Sequence, residues 1–249
     1  MGLLPGLFFV IVDNTMEVKF RMEKAPKSKT SGDIAYQVGK AILSAVPMAG
    51  GPLQVLFENV FSAPIDNRKR AWLEQLTGVI EELLRRVEGL TPEKLAANEV
   101  FITVVLQASQ TAIRNHQKEK LQALRNAILN SALPNPPLED EQMIFLRLID
   151  QLTPWHLRIL ALLDHPVKWM EQNSVHNPNW SLGGVATVIE DCFPDLRGQR
   201  DTYDQIVHDL QGQGLFMQGQ FLHMTMTGQG MIESRTTNRG KRFIKFITA

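Results

Sequence analysis

Residues 66–88 carry the most regular hydrophobic pattern in the chain. Their apolar side chains recur every three or four positions and are Trp72, Leu73, Leu76, Val79, Ile80, Leu83, Leu84 and Val87. This spacing places them on one stripe of an α-helix, with charged and polar residues on the opposite face. Such a stripe is stable in water only when other apolar elements cover it. The segment therefore predicts a protein built mainly of packed helices.

Proline and glycine breaks divide most of the chain into further segments with helical spacing. We predict helices over residues 31–46, 53–61, 99–114, 117–133, 138–152, 155–163 and 201–215. Thr91 and Thr153 are each followed by proline, which is typical of a helix start. Threonine accepts a hydrogen bond from a free amide there, and proline suits the first helical position. We therefore also expect a helix after Pro92.

The C-terminal part mixes helices with extended segments. After the helix that ends before Asp164, we expect a polar loop up to Trp180 and another element over residues 182–193. Beyond the helix at 201–215, we expect a strand over residues 215–225 and a terminal helix within residues 235–247, capped by threonine. This order is typical of a winged-helix module. The predicted fold is mostly α, an N-terminal helical bundle followed by a C-terminal winged-helix-like domain.

The sequence predicts three parts separated by changes in composition. They are an N-terminal extension over residues 1–30, a helical domain over 31–134 and the winged-helix-like domain over 138–249. The boundary between the last two is the Pro-Asn-Pro-Pro segment at residues 134–137, which cannot continue a helix. A length of 249 residues is sufficient for two modest cores.

The first twelve residues are apolar, but they lack the basic start and the small-residue cleavage site of a signal peptide. We therefore expect no secretion. A strand, a disordered leader and an extension ahead of an internal start at Met16 or Met22 remain alternatives. Residues 19–30 are basic, polar and contain proline, so we expect a mobile linker there.

Charge and cysteine content limit the classes of partner and compartment. The chain has 26 lysines and arginines against 26 aspartates and glutamates, so any binding of nucleic acid or an anionic surface requires a local patch. Cys192 is the only cysteine, which excludes an internal disulfide and fits a reducing, cytoplasmic location. We expect its thiol to be a small buried apolar group.

No segment of the chain assembles the side chains of a known chemistry. The six histidines lie at positions 116, 156, 165, 176, 208 and 223, without metal-ligand spacing around them. Phosphate-binding glycine loops and nucleophile elbows are also missing from the sequence. We therefore predict a protein that is not an enzyme, with no catalytic residues, metal, cofactor or small-molecule substrate.

The two helices predicted at 31–46 and 53–61 form an unusually apolar hairpin. Its large apolar residues are Ile42, Val46, Leu53, Leu56, Phe57 and Phe61. A buried pair in a helical core is one explanation, and a hairpin that enters a membrane or binds a partner is the other, because its small residues allow close backbone approach. Each arm is too short to cross a bilayer, so insertion requires a conformational change or an oligomer.

The winged-helix order also raises the possibility of DNA binding. The helix at 201–215 corresponds to the one that enters the major groove, yet it contains three aspartates and no lysine or arginine. Cations do flank it at Arg197, Arg200, Arg235, Arg239, Lys241 and Arg242. Such side chains contact phosphates, which gives affinity without base specificity. We therefore keep DNA binding as the alternative to a protein-interaction module.

Four stretches between residues 39 and 166 carry a family resemblance. They are GKAILSAVPMAGGPLQVLFENVFSAP, RKRAWLEQL, NEVFITVVLQASQTAIRNHQKEKLQALRNAILNSAL and FLRLIDQLTPWHLRILALL. In these the chain resembles the abortive-infection alpha family of bacterial helical proteins. The resemblance implies a non-enzymatic role in antiphage or toxin-like defence, through partners or membranes, and it provides no active-site residues to transfer.

The sequence thus gives two functional hypotheses. The first is a cytoplasmic bacterial defence protein that acts by contact with proteins, with itself or with a membrane. The second is a winged-helix transcriptional regulator that binds DNA through the flanking cations.

Overall fold

The computed structural model describes residues 63–248, with side chains from Asn67 onward. This part is mostly α-helical, as predicted. The helices are α1 (Ala63–Arg86), α2 (Pro92–Ala96), α3 (Glu99–Arg114), α4 (Lys118–Ser131), α5 (Glu139–Gln151), α6 (Pro154–Asp164), α7 (Pro166–Gln172), α8 (Val185–Cys192), α9 (Arg200–Gly212), α10 (Gly228–Met231) and α11 (Asn238–Ile247). The N-terminal extension and the hairpin at 31–61 lie outside the described residues.

The stripe of α1 is buried as its spacing predicts. Trp72, Leu76, Val79, Ile80 and Leu83 are each at most 3% exposed, and they pack against α3 and α4. The indole Nε1 of Trp72 donates a hydrogen bond of 2.9 Å to the Ser109 hydroxyl on α3. Because both groups are buried, this bond satisfies two polar atoms inside the core.

α4 lies at the centre of the molecule, in contact with α1, α3, α5, α6 and α11. The terminal helix α11 returns to it from the far end of the sequence. Phe145 on α5 packs against α11, with ring centroids 5.3 Å from Phe243 and 5.6 Å from Phe246. Helices on both sides of residues 134–137 therefore share one apolar core. The domain boundary at that segment remains a prediction.

Side-chain caps begin several helices. Thr91 Oγ1 accepts from the Lys94 amide at the start of α2, and Asn98 Oδ1 accepts from the Phe101 amide at the start of α3. At α6, the Thr153 side chain and the His156 side chain cap each other's backbone amides. These bonds satisfy amides that have no partner within their helix. The helix starts expected at Thr91 and Thr153 are confirmed.

Two expectations for the C-terminal part were wrong. The predicted polar loop after Asp164 contains α7, because Pro166 occupies a first helical position and Met170 is buried. The segment 215–225 is not a strand, since within it only Phe216 forms a bridge, to Thr236. The Gln211 side chain donates to the carbonyls of Met217 and Gly219, which folds the chain back over the end of α9.

The extended structure in the described residues is one short antiparallel pair. Its strands are β1 (Leu182–Gly183) and β2 (Met226–Thr227), with Leu182 opposite Thr227 and Gly183 opposite Met226. α8, a 3-10 turn at Pro194–Leu196 and α9 lie between these strands in the chain. The pair therefore brings the two ends of this region together.

Candidate interaction surfaces

The cations predicted to contact DNA are mostly engaged within the protein. At the two ends of the connection between α8 and α9, Arg197 lies 3.3 Å from Asp191 Oδ1 and Arg200 lies 3.4 Å from Asp204 Oδ2. Arg197 also donates to the carbonyl of Glu190. Both arginines remain more than half exposed, so solvent screens these ion pairs. Their charge is nevertheless balanced locally.

Arg235 is not a surface residue. Its side chain is 11% exposed and donates to the carbonyl of Gly230, while its guanidinium carbon lies 5.5 Å from the centre of the Phe221 ring. The nearest carboxylate oxygen, on Glu233, is 4.0 Å away. A guanidinium held in this way braces the loop before α11 and is poorly placed to reach a phosphate outside.

The remaining three predicted contacts lie on α11. Arg242 Nε donates to Glu141 Oε1 at 2.8 Å, which links α11 to the first turn of α5. Arg239 is half-buried beside Gly214, and Lys241 is exposed. Neither Arg239 nor Lys241 forms an ion pair with another residue of the described part. Arg239, Lys241 and Arg242 thus lie on one helix, whereas Arg197 and Arg200 belong to the connection between α8 and α9 and to the start of α9.

The exposed side of α9 is acidic. Asp204 Oδ1 lies 2.7 Å from His223 Nε2, and Asp209 Oδ2 lies 3.3 Å from His156 Nε2. Asp201 in the first turn is exposed. The negative charge of a DNA duplex, about one per 1.7 Å of its axis, repels a helix that carries three aspartates.

The structure also contains a concave surface that was not predicted from the sequence. It is a groove of about 630 Å³ between α4, α6 and the end of α7, and it reaches the last described residues. Leu157, Trp169, Val175 and Phe193 give it apolar walls, while Asn126 and Asn173 add amide groups. The residues that line the groove come from five separate segments of the chain, so no local sequence motif predicts it.

Aromatic contacts hold one wall of this groove in place. The Phe193 ring lies edge-on between Trp155 and Trp169, with centroids 5.4 Å and 5.0 Å away. The Arg158 guanidinium stacks on Trp155 at 4.9 Å and also binds Glu119 across the groove. This hydrogen bond from Arg158 holds the pKa of Glu119 below its usual range. The wall is thus preformed and mostly apolar.

Cys192 and Tyr203 are buried side chains whose pKa values are raised. Cys192 is 6% exposed, and burial raises the pKa of its thiol to about 12. Its predicted role as a buried apolar group is thereby confirmed. Burial and a hydrogen bond to Glu190 raise the pKa of Tyr203 to about 12. Within residues 63–248, no three histidine, cysteine or acidic side chains are grouped to hold a metal ion.

The predicted hairpin residues Ile42, Val46, Leu53, Leu56, Phe57 and Phe61 lie outside the described residues. Among the helices of the described part, none combines the length and apolar character that a membrane span requires.

Comparison of the chain with models of protein families, with curated proteins and with solved structures gives no match.

Proposed function

We propose that this protein acts by binding other macromolecules rather than by catalysing a reaction, as a bacterial defence protein of the abortive-infection type. The observation that carries the contact role is the groove between α4, α6 and α7. The defence role rests on the family resemblance of residues 39–166. The apolar hairpin at 39–61 supplies a second contact, to a partner or to a membrane.

The groove supports protein binding because it is open, mostly apolar and rigid. Trp169 is partly exposed there, although Phe193 packs against its ring at 5.0 Å. Aromatic side chains fixed in this way contribute strongly to protein interfaces at little cost in conformational entropy. The groove suits a partner segment that inserts an aliphatic or aromatic side chain between Leu157 and Trp169.

We also propose that residues 138–249 form a winged-helix-like module used for protein contact. The order β1, α8, α9 and β2 supports this arrangement, as does the antiparallel pairing of β1 with β2. The antiparallel bridge between Phe216 and Thr236 also supports it, because it pairs two segments that follow α9. The aspartates of α9 favour a protein partner over a nucleic acid for this module.

Replacing Ala161 by arginine tests the groove without removing a core side chain. Ala161 is exposed on α6 and lines the groove, so a long charged side chain there occupies the space of a partner. In a bacterial host challenged with a panel of phages, we expect the wild-type chain to lower plaque formation and Ala161→Arg to restore it. The matched control is Ala71→Arg, at an exposed position of α1 outside the groove.

The outcomes separate the parts of this proposal. If the wild-type chain protects against no phage, the defence role is wrong. If Ala161→Arg protects as well as wild type, the groove is not the contact surface. Leakage of liposomes by the full chain tests the hairpin, because a membrane route predicts leakage that Leu56→Asp abolishes.

A second candidate function is binding of duplex DNA through α11. It is favoured by Arg239 and Lys241, which lie near the start of that helix without ion pairs among the described residues. If the chain binds duplex DNA there, Arg239→Glu with Lys241→Glu abolishes binding and flattens its dependence on salt. Equal binding by wild type and this double variant excludes α11 as the contact.

A further inference from the structure

A second, smaller cavity shares no lining residue with the groove. It has a volume of about 250 Å³ and is formed where the end of α4, the proline-rich connection after it and the last turns of α11 meet. Its apolar walls are Leu133, Pro134, Pro136 and Phe246. Phe246 is 1% exposed and fixed against Phe145. Because proline fixes its own backbone, these walls are shaped before any ligand arrives.

The charged residues among those lining this cavity are Arg242 and Lys245, both cations. Glu141 binds Arg242 through Nε at 2.8 Å, and this leaves the terminal nitrogens of the guanidinium to face other acceptors. Lys245 is exposed and forms no ion pair with another residue of the described part. The cavity therefore combines apolar walls with a balanced guanidinium and one ammonium group that has no ion-pair partner in the described part.

The end of α11 would by itself oppose an anion here, since the last carbonyls of a helix carry partial negative charge. Asn130 donates to three carbonyl oxygens at this end of the chain. Its Nδ2 lies 3.1 Å from the carbonyl oxygen of Lys245, 2.9 Å from that of Phe246 and 2.7 Å from that of Thr248. With these carbonyls engaged, the charged donors at the cavity are Lys245 and the terminal nitrogens of Arg242.

We propose that this cavity binds a small organic anion, with a phosphate or carboxylate head on Arg242 and Lys245 and an apolar body against Phe246 and the prolines. Charge-assisted hydrogen bonds from a guanidinium and an ammonium are the contacts that such heads prefer. The site is independent of the groove, because the two share no lining residue. Failure of one proposal leaves the other unaffected.

The test is a titration of the full chain with phenyl phosphate, followed by amide chemical shifts in NMR spectra. We expect saturable shifts at residues 133–137 and 242–246, and an affinity that falls as sodium chloride is added. Phenol contains only the apolar ring of phenyl phosphate, and inorganic phosphate only its anionic head. Each is expected to bind at least about tenfold more weakly than phenyl phosphate. Lys245→Met is expected to lower the affinity for phenyl phosphate by about tenfold.

Lys241→Met is the matched control, since Lys241 lies on the same helix but does not line the cavity. We expect it to leave the affinity for phenyl phosphate unchanged. Equal losses in Lys241→Met and Lys245→Met would mean unspecific attraction to a basic helix and would overturn the proposal. So would an affinity for inorganic phosphate that equals that of phenyl phosphate, or no saturable shift at these residues.

Discussion

The helical centre of the molecule (residues 63–164) and the loop-rich region that follows it (residues 165–237) differ in how closely one segment of backbone approaches another. In the centre, helices bury apolar stripes, and Val104, Ala108 and Leu124 are fully enclosed. In the loop-rich region, two backbone segments approach each other so closely that a side chain does not fit between them. A Cβ atom added to Gly228 would lie 1.6 Å from the carbonyl oxygen of Trp180. Both regions bury many apolar side chains, Val188 and Leu210 among them in the loop-rich region, but the loop-rich region also depends on a few positions where no residue other than glycine fits.

The largest expected effect concerns the reactivity of Cys192, which reports opening of the loop-rich region. With its pKa raised to about 12 by burial, the thiol has a thiolate fraction at pH 8 roughly a thousandfold below that of an ordinary cysteine. We expect alkylation by iodoacetamide to be slower than in urea-unfolded protein by at least that factor. A native rate near the unfolded one would mean that this region opens readily while the centre stays folded.

Loss of a side chain at the joint of α5 and α11 tests the centre. We expect Phe145→Ala to lower the free energy of unfolding by about 3–5 kcal/mol, because it leaves a cavity beside Phe243 and Phe246. Urea unfolding followed by circular dichroism measures it. Phe145→Leu is the control and should lose less than half as much, since it keeps most of the volume. A loss below about 1 kcal/mol would contradict the enclosed packing.

Adding one methyl group tests the loop-rich region. We expect Gly228→Ala to destabilise the fold by about 3 kcal/mol, because the carbonyl of Trp180 belongs to backbone that is paired through Ser181. The control is Gly78→Ala in the middle of α1, where an added Cβ meets nothing within 4 Å. That change should stabilise the protein by about 0.5–1 kcal/mol through helix propensity. A change in stability of the same sign for both variants in thermal unfolding would contradict the proposed difference between the two regions.

Helix caps give a smaller contrast between the two regions. Thr237 Oγ1 accepts from the Gly240 amide at 3.0 Å and donates to the carbonyl of Gly214 at 2.7 Å, so Thr237→Ala should cost about 2 kcal/mol. Within residues 63–248, the Asn98 side chain forms the cap bond alone, to the Phe101 amide at 3.0 Å, and Asn98→Ala should cost about 1 kcal/mol. Equal losses in chemical denaturation would show that the tie to Gly214 adds no stability.

The helical centre could be predicted closely from the sequence. The spacing of apolar residues gave the bounds of α3 at residues 99–114, and Thr153-Pro154 gave the start of α6. Both signals are local, because the apolar period and the cap residues belong to the same helix. In the loop-rich region, α9 confirms the helix predicted at residues 201–215, but two other predictions were wrong. There α7 begins at a proline inside a polar segment, and the chain after Phe216 bends over α9 through Gln211.

The candidate surfaces were less predictable than the helices. The cationic residues flanking α9 were identified by type, but their availability depends on partners such as Asp191 for Arg197 and Glu141 for Arg242. The burial of Arg235 under Phe221 has no counterpart in the local sequence. The groove has none either, since the residues that face each other across it are far apart in the chain.

By itself, the sequence determined that this protein is mostly helical, where most helices begin and end, and that Cys192 is an apolar core residue. These properties follow from periodicity and capping over a few consecutive residues. The tertiary structure decided which cations are free, how the loop-rich region closes at Gly228, and that a groove and a cationic cavity exist. Each of these depends on distances between residues that the chain brings together only after folding, as with Glu119 and Arg158 or Asn130 and Thr248.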